Sequence, residues 1–240
     1  MALILNIESS SNICSIALSR NGKLISLKES DIEKSHAEKL TVFIEEILEE
    51  NNIPVNTIDA IAVSKGPGSY TGLRIGVSVA KGMCYALKKP LIAIDTMQLL
   101  SQEIINEPQK YSLKRSNNKN TLLCPMIDAR RMEVYAGIFD FENNRISEVQ
   151  SFIIENISFK KFLDKTKVVF FGNGSEKCKG IIIHNNALFI DNIVLSAKHM
   201  GSLAEKDFNK ENFADLAYFE PFYLKDFIAI KPKKNILFDE

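Results

Sequence analysis

Lys65-Gly66-Pro67-Gly68-Ser69-Tyr70-Thr71-Gly72-Leu73-Arg74-Ile75-Gly76 is the stretch of this chain that packing alone explains least. It follows the apolar run Ala60-Ile61-Ala62-Val63-Ser64 and opens into a helical pattern near Gly72. A strand, a glycine turn and a helix N-terminus direct backbone N–H groups and the positive end of a helix dipole at one small volume, an arrangement that suits phosphate. The same residues also suit a turn that only reverses the chain, and no Gly-Lys-Ser/Thr closes the loop as a P-loop requires.

Other side chains offer less. His36, His184 and His199 are the only histidines, and no two stand at helical spacing, so a His-pair metal site is excluded. Cys14, Cys84, Cys124 and Cys178 lie far apart with no Cys-x-x-Cys pair, which reads as reduced thiols. No Ser/His/Asp arrangement supports a peptidase. His36 could act as a base, but it falls in the first turn of a helix whose apolar stripe already accounts for it. Asp95 could ligate a metal, but Asp-Thr at a strand-to-helix junction is also an ordinary N-cap, the reading we favour.

The elements that position these residues follow from periodicity. The 240 residues, 45% hydrophobic, are enough for one large domain or two lobes. Thirty basic and thirty acidic side chains cancel, so any RNA contact needs a local patch or a partner. The N-terminal apolar run is too short for a signal segment and no run approaches a membrane span, which implies a cytoplasmic protein. Strands are expected over 3–8, 13–19 and 23–27, the last two joined by an Asn21-Gly22 hairpin turn. Ser35-His36-Ala37-Glu38 fits a capping box, and Leu40, Phe43, Ile44, Ile47 and Leu48 mark a helix over 36–51. A strand at 58–64, a helix to about Leu87, a strand at 91–94 and a helix from Thr96 complete a mixed sheet covered by helices. Polar residues 106–120 form a boundary between a first lobe, 1–105, and a shortened second lobe, 106–240, whose last helix is expected to pack back on the first. In the second lobe strands are expected over 122–127, 133–139, 146–153 and 168–171, with helices near 175–183 and 196–208. The strand, hairpin and helix order of the first half returns loosely in the second, the trace of a duplicated fold. Gly72, Gly76 and Ala80 make a smooth stripe beside Val79 and Met83, and Leu40, Phe43, Ile44 and Ile47 lie on the preceding helix. These residues form a candidate partner interface, with close packing on the chain's own sheet as the alternative.

Ile4-Leu5-Asn6-Ile7-Glu8-Ser9-Ser10, Ser35-His36-Ala37-Glu38-Lys39-Leu40, the Lys65–Gly76 string, Ile127-Asp128-Ala129-Arg130-Arg131-Met132-Glu133-Val134-Tyr135 and Pro221-Phe222-Tyr223-Leu224 together resemble the TsaB family, over nearly the whole chain and in order. The resemblance implies an α/β, two-lobed actin-like ATPase fold (ribonuclease H-like), with mixed sheets covered by helices. It also implies a non-catalytic relative of TsaD, which completes threonylcarbamoyladenosine on tRNA. In register with TsaD-like enzymes, two metal-ligand histidines four apart fall on Thr96 and Leu100, and neither side chain supplies an imidazole. Glu8, Ser9 and Ser10 stand where such ATPases keep an acid for the phosphate-bridging metal. With Gly66, Gly68, Ser69, Thr71 and Gly72 they make a candidate vestigial phosphate site. Gly172-Asn173-Gly174 is the one adenosine-loop candidate, so ATP or ADP with Mg is expected only weakly or in a complex. The implied partners are a TsaD-like catalytic subunit and a TsaE-like P-loop ATPase, with a homodimer also open and tRNA reached indirectly. The implied role is support of threonylcarbamoyl transfer to N6 of the adenosine beside the anticodon in tRNAs reading codons that begin with A. The alternative is an independent enzyme of the same fold, an ATP-dependent transferase or peptidase-like.

Overall fold

The computed structural model describes residues 2–31, 36–113 and 120–225. Two five-stranded mixed sheets carry the chain. The first holds β1 (Leu3–Glu8), β2 (Cys14–Arg20), β3 (Lys23–Ser30), β4 (Ala60–Gly66) and β5 (Leu91–Asp95) in the order β3-β2-β1-β4-β5. The second holds β6 (Thr121–Asp128), β7 (Glu133–Phe139), β8 (Arg145–Ile153), β9 (Lys167–Phe171) and β10 (Ala187–Ile190) in the order β10-β9-β6-β7-β8. In each sheet the first three strands form an antiparallel meander, and the last two add in parallel beside the first. The echo between the halves is therefore a repeated topology.

Local chemistry sets this order. Asn21 and Gly22 both take positive φ, 51° and 72°, which a two-residue hairpin turn demands. Parallel neighbours need a crossover. In the first half α1 (His36–Glu50) and α2 (Tyr70–Leu87) supply it. In the second half the crossovers shrink to the four-residue α4 (Lys160–Leu163) and a short 3₁₀ turn, Glu176–Cys178. The helix expected near 175–183 does not form beyond that turn. Gly174 and Gly180 bracket a run too short to nucleate one. The four residues of β10 were not expected as a strand, being too few to show a period. The Ser35 cap lies outside the described residues, as does the side chain of His36.

Three apolar clusters hold the layers. Leu40, Ile44 and Ile47 of α1 and Val77, Ala80 and Cys84 of α2 pack on Leu5, Ile7 and Val63. Between the sheets, α3 (Thr96–Asn106) and α5 (Met200–Asn209) join Ile4, Ala62 and Ile92 of the first sheet to Leu123, Phe139, Val169 and Phe171 of the second. Phe139, Phe170 and Phe171 are fully buried, each contributing roughly 1.5–3 kcal/mol. On α5, Gly201 lies against Ser19 and Gly22 of the first sheet. Residues 212–225 then run as a strap across that lobe. Ala214 pairs with Leu91 at the β5 edge, Lys81 Nζ donates to the carbonyls of Ala217 and Phe219 at 3.2 and 3.0 Å, and the Phe222 N–H donates to the Lys65 carbonyl at 2.7 Å. No helix among the described residues is long and apolar enough to cross a membrane.

Candidate functional site

The C-terminal ends of the parallel strands meet between the lobes, where open α/β sheets place ligands. Glu8, Gly66 and Asp95 end β1, β4 and β5, and Asp128 and Phe171 end β6 and β9. Gly66 and Gly172 occupy corresponding places and both take positive φ, 108° and 95°. A Cβ on Gly66 would stand 2.5 Å from the Phe222 carbonyl oxygen, and one on Gly172 would stand 2.4 Å from that of Met126. Both positions therefore need glycine twice over.

The glycine loop and the Glu8–Ser10 turn come together as the sequence implies, but they close on each other instead of around an anion. The Ser69 N–H donates to the Ser10 carbonyl at 2.7 Å, and Ser69 Oγ caps α2 by accepting from the Gly72 N–H at 3.3 Å. The space beside Gly68 and Gly72 is filled by the carbonyl oxygens of Ser10 and Ser9, 2.4 and 2.0 Å from where a Cβ would stand. The Ser10 carbonyl thus takes the Ser69 N–H, one of the loop donors that an anion would use. Glu8 is buried and accepts from the N–H and hydroxyl of Ser10 at 2.6 and 2.5 Å. Burial pushes its carboxyl up from the ordinary value, against the lowering effect of Ser10 and Ser64. Glu8 Oε2 and Ser9 Oγ have no hydrogen-bond partner among the described residues, but Ser9 Oγ is pressed under Gly76 with no room for a ligand. Ser69 and Thr71 are the members of the set left exposed, and Gly68 is half-buried.

The cleft between the lobes is apolar and clamped. A cavity of about 150 Å³ is lined by Leu100, Ile127, Ile193 and Leu195, with Asn12 and Asn173 among its few polar groups. Asn173 Oδ1 accepts from the Asp128 N–H at 2.9 Å, so Gly172-Asn173 braces the end of β6. Asp95 does cap α3, its Oδ1 accepting from the N–H groups of Met97 and Gln98 at 2.9 and 3.2 Å. Its Oδ2 also takes Arg145 Nη2 of the second sheet at 2.6 Å. Asn143, buried in the β7–β8 turn, donates to the Gln98 carbonyl and Gln102 Oε1. No local pattern signals this clamp, because its partners lie 41 to 50 residues apart.

The expected partner stripe faces the other way. Leu40, Ile44, Ile47, Gly72, Gly76 and Ala80 are buried. A Cβ on Gly76 would stand 2.1 Å from Ser9 Oγ. Small residues here let α2 lie close on its own sheet, which corrects their assignment to a partner. Phe43, Val79 and Met83 are half-buried. The outer face of α2 carries a second smooth stripe, Ser78, Gly82 and Ala86, all exposed, with Tyr85 beside it at 81% exposure. A Cβ on Gly82 would meet nothing within 4 Å. The four-residue recurrence of Ser78, Gly82 and Ala86 was visible in the sequence, but the phase that faces solvent was not.

The family model described as TsaD, tRNA N6-adenosine threonylcarbamoyltransferase, matches residues 30–230. The tRNA threonylcarbamoyladenosine biosynthesis protein TsaB of Buchnera aphidicola subsp. Schizaphis graminum is 30% identical over 182 residues, covering 74% of this chain and 81% of that one. The chain belongs to the TsaB family. TsaB of Escherichia coli is 26% identical over 95% of this chain and 96% of its own length. The solved structure of YeaZ from Pseudomonas aeruginosa superposes with a TM-score of 0.80 at 24% identity, covering 93% of this chain and 100% of that one. The fold is the two-lobed actin-like, ribonuclease H-like one. A tRNA N6-adenosine threonylcarbamoyltransferase from Staphylococcus haemolyticus is 39% identical, but over 108 residues that make up 32% of its length. At the positions that the resemblance aligned with metal histidines, Thr96 Oγ1 accepts from the Gly66 N–H at 3.1 Å and Leu100 fills the cleft beside Gly172. Both side chains serve packing of the lobes.

Proposed function

We propose that this TsaB-family chain is a non-catalytic subunit that supports a TsaD-like enzyme in threonylcarbamoyl transfer to N6 of the adenosine beside the anticodon. The observation that carries the reading is Leu100. It stands, buried and apolar, where the catalytic relatives are expected to hold a metal ligand, and it lines the interlobe cleft. A cleft with apolar walls and a glycine loop closed on Ser9 and Ser10 leave this chain little to contribute to chemistry. The exposed stripe Ser78, Gly82 and Ala86, with Tyr85 and the half-buried Val79 and Met83, supplies a smooth, partly apolar face on which a partner helix can settle closely. Val42 and Phe43 of α1 extend it, and Glu38, Glu45 and Glu49 give its rim negative charge. The occupant proposed for this face is the TsaD-like subunit, with a TsaE-like ATPase joining the assembled pair and ATP bound by the complex instead of by this chain alone. Size-exclusion chromatography with light scattering tests the assembly. A one-to-one complex on mixing the two subunits is the expected result. A chain that stays apart from the TsaD-like subunit, whether as monomer or as homodimer, refutes it.

A further inference from the structure

Net charge gives no reason to expect nucleic acid, yet one surface is locally basic. The turn Ala129–Met132 between β6 and β7 sets Arg130 and Arg131 side by side, both exposed and both in the left-handed region at φ 70° and 49°. Two successive non-glycine residues in that region are uncommon, since glycine or asparagine adopts it more readily. Neither guanidinium has an ion pair or hydrogen bond among the described residues. The acids around them are already matched. Lys177 pairs with Asp128 and also donates to the carbonyls of Arg131 and Glu133, and Lys225 pairs with Glu133.

The strap extends this surface onto the first lobe. Lys225 lies 6.0 Å from the Tyr135 ring, and two residues earlier Tyr223 packs on Tyr70 with ring centroids 4.8 Å apart. Arg74 lies 4.3 Å over the Tyr70 ring, and its Nε donates to Tyr223 Oη at 3.4 Å. Glu220 is the acid near Arg74, and the two form no ion pair among the described residues. The strap thus links two clusters, Arg74, Tyr70 and Tyr223 on the first lobe and Lys225 with Tyr135 on the second, where Tyr135 lies on β7, the strand that follows the Arg130-Arg131 turn. Guanidinium groups free to meet phosphates, set among aromatic rings on which bases can stack, are what single-stranded nucleic acid recognition uses.

We propose that this band is a contact surface for RNA, engaging the phosphates of an unpaired loop of the tRNA substrate through Arg130, Arg131 and Arg74. The proposal rests on the reading that the chain works on tRNA, and it departs from the expectation that tRNA is reached only indirectly. Arg130 and Arg131 lie on the second lobe, off the helices of the proposed subunit face, whereas Arg74 stands one turn, roughly 6 Å along the axis, before Ser78 at the end of that face.

The test uses a fluorescein-labelled, unmodified anticodon stem-loop RNA and fluorescence anisotropy at 50 and 200 mM KCl. The chain is measured alone and mixed with the TsaD-like subunit. Three phosphate contacts at ~0.7 each in the log–log salt slope weaken binding about twentyfold between the two salt concentrations, and one contact weakens it about threefold. The double variant Arg130→Gln/Arg131→Gln should bind the RNA at least several-fold more weakly at 50 mM and show the shallower salt dependence. Its elution with the TsaD-like subunit should be unchanged. Wild-type chain that binds no RNA in either form, or a variant with unchanged affinity and slope, overturns the proposal. So does a variant that keeps RNA affinity as a lone chain but loses the subunit, which would give the arginines to the protein partner. A wild-type chain that binds the RNA alone but forms no complex with the TsaD-like subunit would count against the subunit reading alone.

Discussion

Two glycines on one helix separate the inward from the outward face of α2. Gly76→Ala places a Cβ 2.1 Å from Ser9 Oγ and 3.1 Å from Ser9 Cβ, and Ser9 is fully buried between strand end and helix, so it cannot swing aside. Overpacking of this kind costs about 1–3 kcal/mol. Replacing glycine in a helix returns about 0.5–1 kcal/mol, leaving a net loss of about 1–2 kcal/mol. For a chain of this size that lowers the melting temperature by roughly 2–8 °C. Gly82→Leu meets nothing within 4 Å and gains the same helix term, so its melting temperature should hold or rise by roughly 1–4 °C. Binding should show the reverse order. The leucine holds a partner helix away from the Ser78–Gly82–Ala86 stripe and should weaken the complex with the TsaD-like subunit at least tenfold, about 1.4 kcal/mol. Folded Gly76→Ala should bind as wild type does. Differential scanning calorimetry and isothermal titration measure the two quantities on the same samples. A Gly82→Leu variant of unchanged affinity, beside a folded Gly76→Ala variant that no longer binds, would refute the assignment of faces.

Three further outcomes follow from the same geometry. Arg145→Met strands the Asp95 carboxylate, 4% exposed, without its cross-lobe partner; allowing for the partial exposure of Arg145, it should cost about 1–2 kcal/mol in chemical denaturation, and an unchanged midpoint would deny the clamp. Glu8 is raised by burial, so above its ordinary pKa the folded state holds a proton that the unfolded state has released; stability is lost as pH rises through the folded pKa, and Glu8→Gln should gain melting temperature relative to wild type at pH 8 over pH 5. Equal differences at both pH values would show that Glu8 is not held neutral. Calorimetric titration of the lone chain with ATP and Mg²⁺ should give no micromolar binding, because an exposed helix end contributes only ~0.3–1 kcal/mol of the ~8 kcal/mol such affinity requires. Micromolar heat from the lone chain would restore the glycine loop as an anion site.

Most elements were legible because long apolar periods are local signals. The helix stripe from Leu40, the Asn21-Gly22 hairpin and the β6, β7 and β8 runs all reported themselves within ten or fifteen residues. The weak second-half crossovers did not, since a four-residue helix and a four-residue strand carry no period. Residue type also marked Gly72 and Gly76 as places of close approach without saying what approaches. The turn just past the end of the first strand, Ser9-Ser10, proved to be the neighbour, and only the β1–β4 register brings it there. The Asp95–Arg145 clamp and the Tyr223–Arg74 contact join residues 50 and 149 apart, distances at which a single sequence gives no pairing signal.

The central claim, that this chain assists catalysis without performing it, is tested most directly by incubating the purified chain with unmodified tRNA and threonylcarbamoyl-adenylate, alone and with the TsaD-like subunit, and digesting the tRNA for nucleoside analysis. The account predicts no threonylcarbamoyladenosine from the chain alone, and more from the two subunits together than from the TsaD-like subunit by itself. Modified tRNA produced by the chain alone would contradict it.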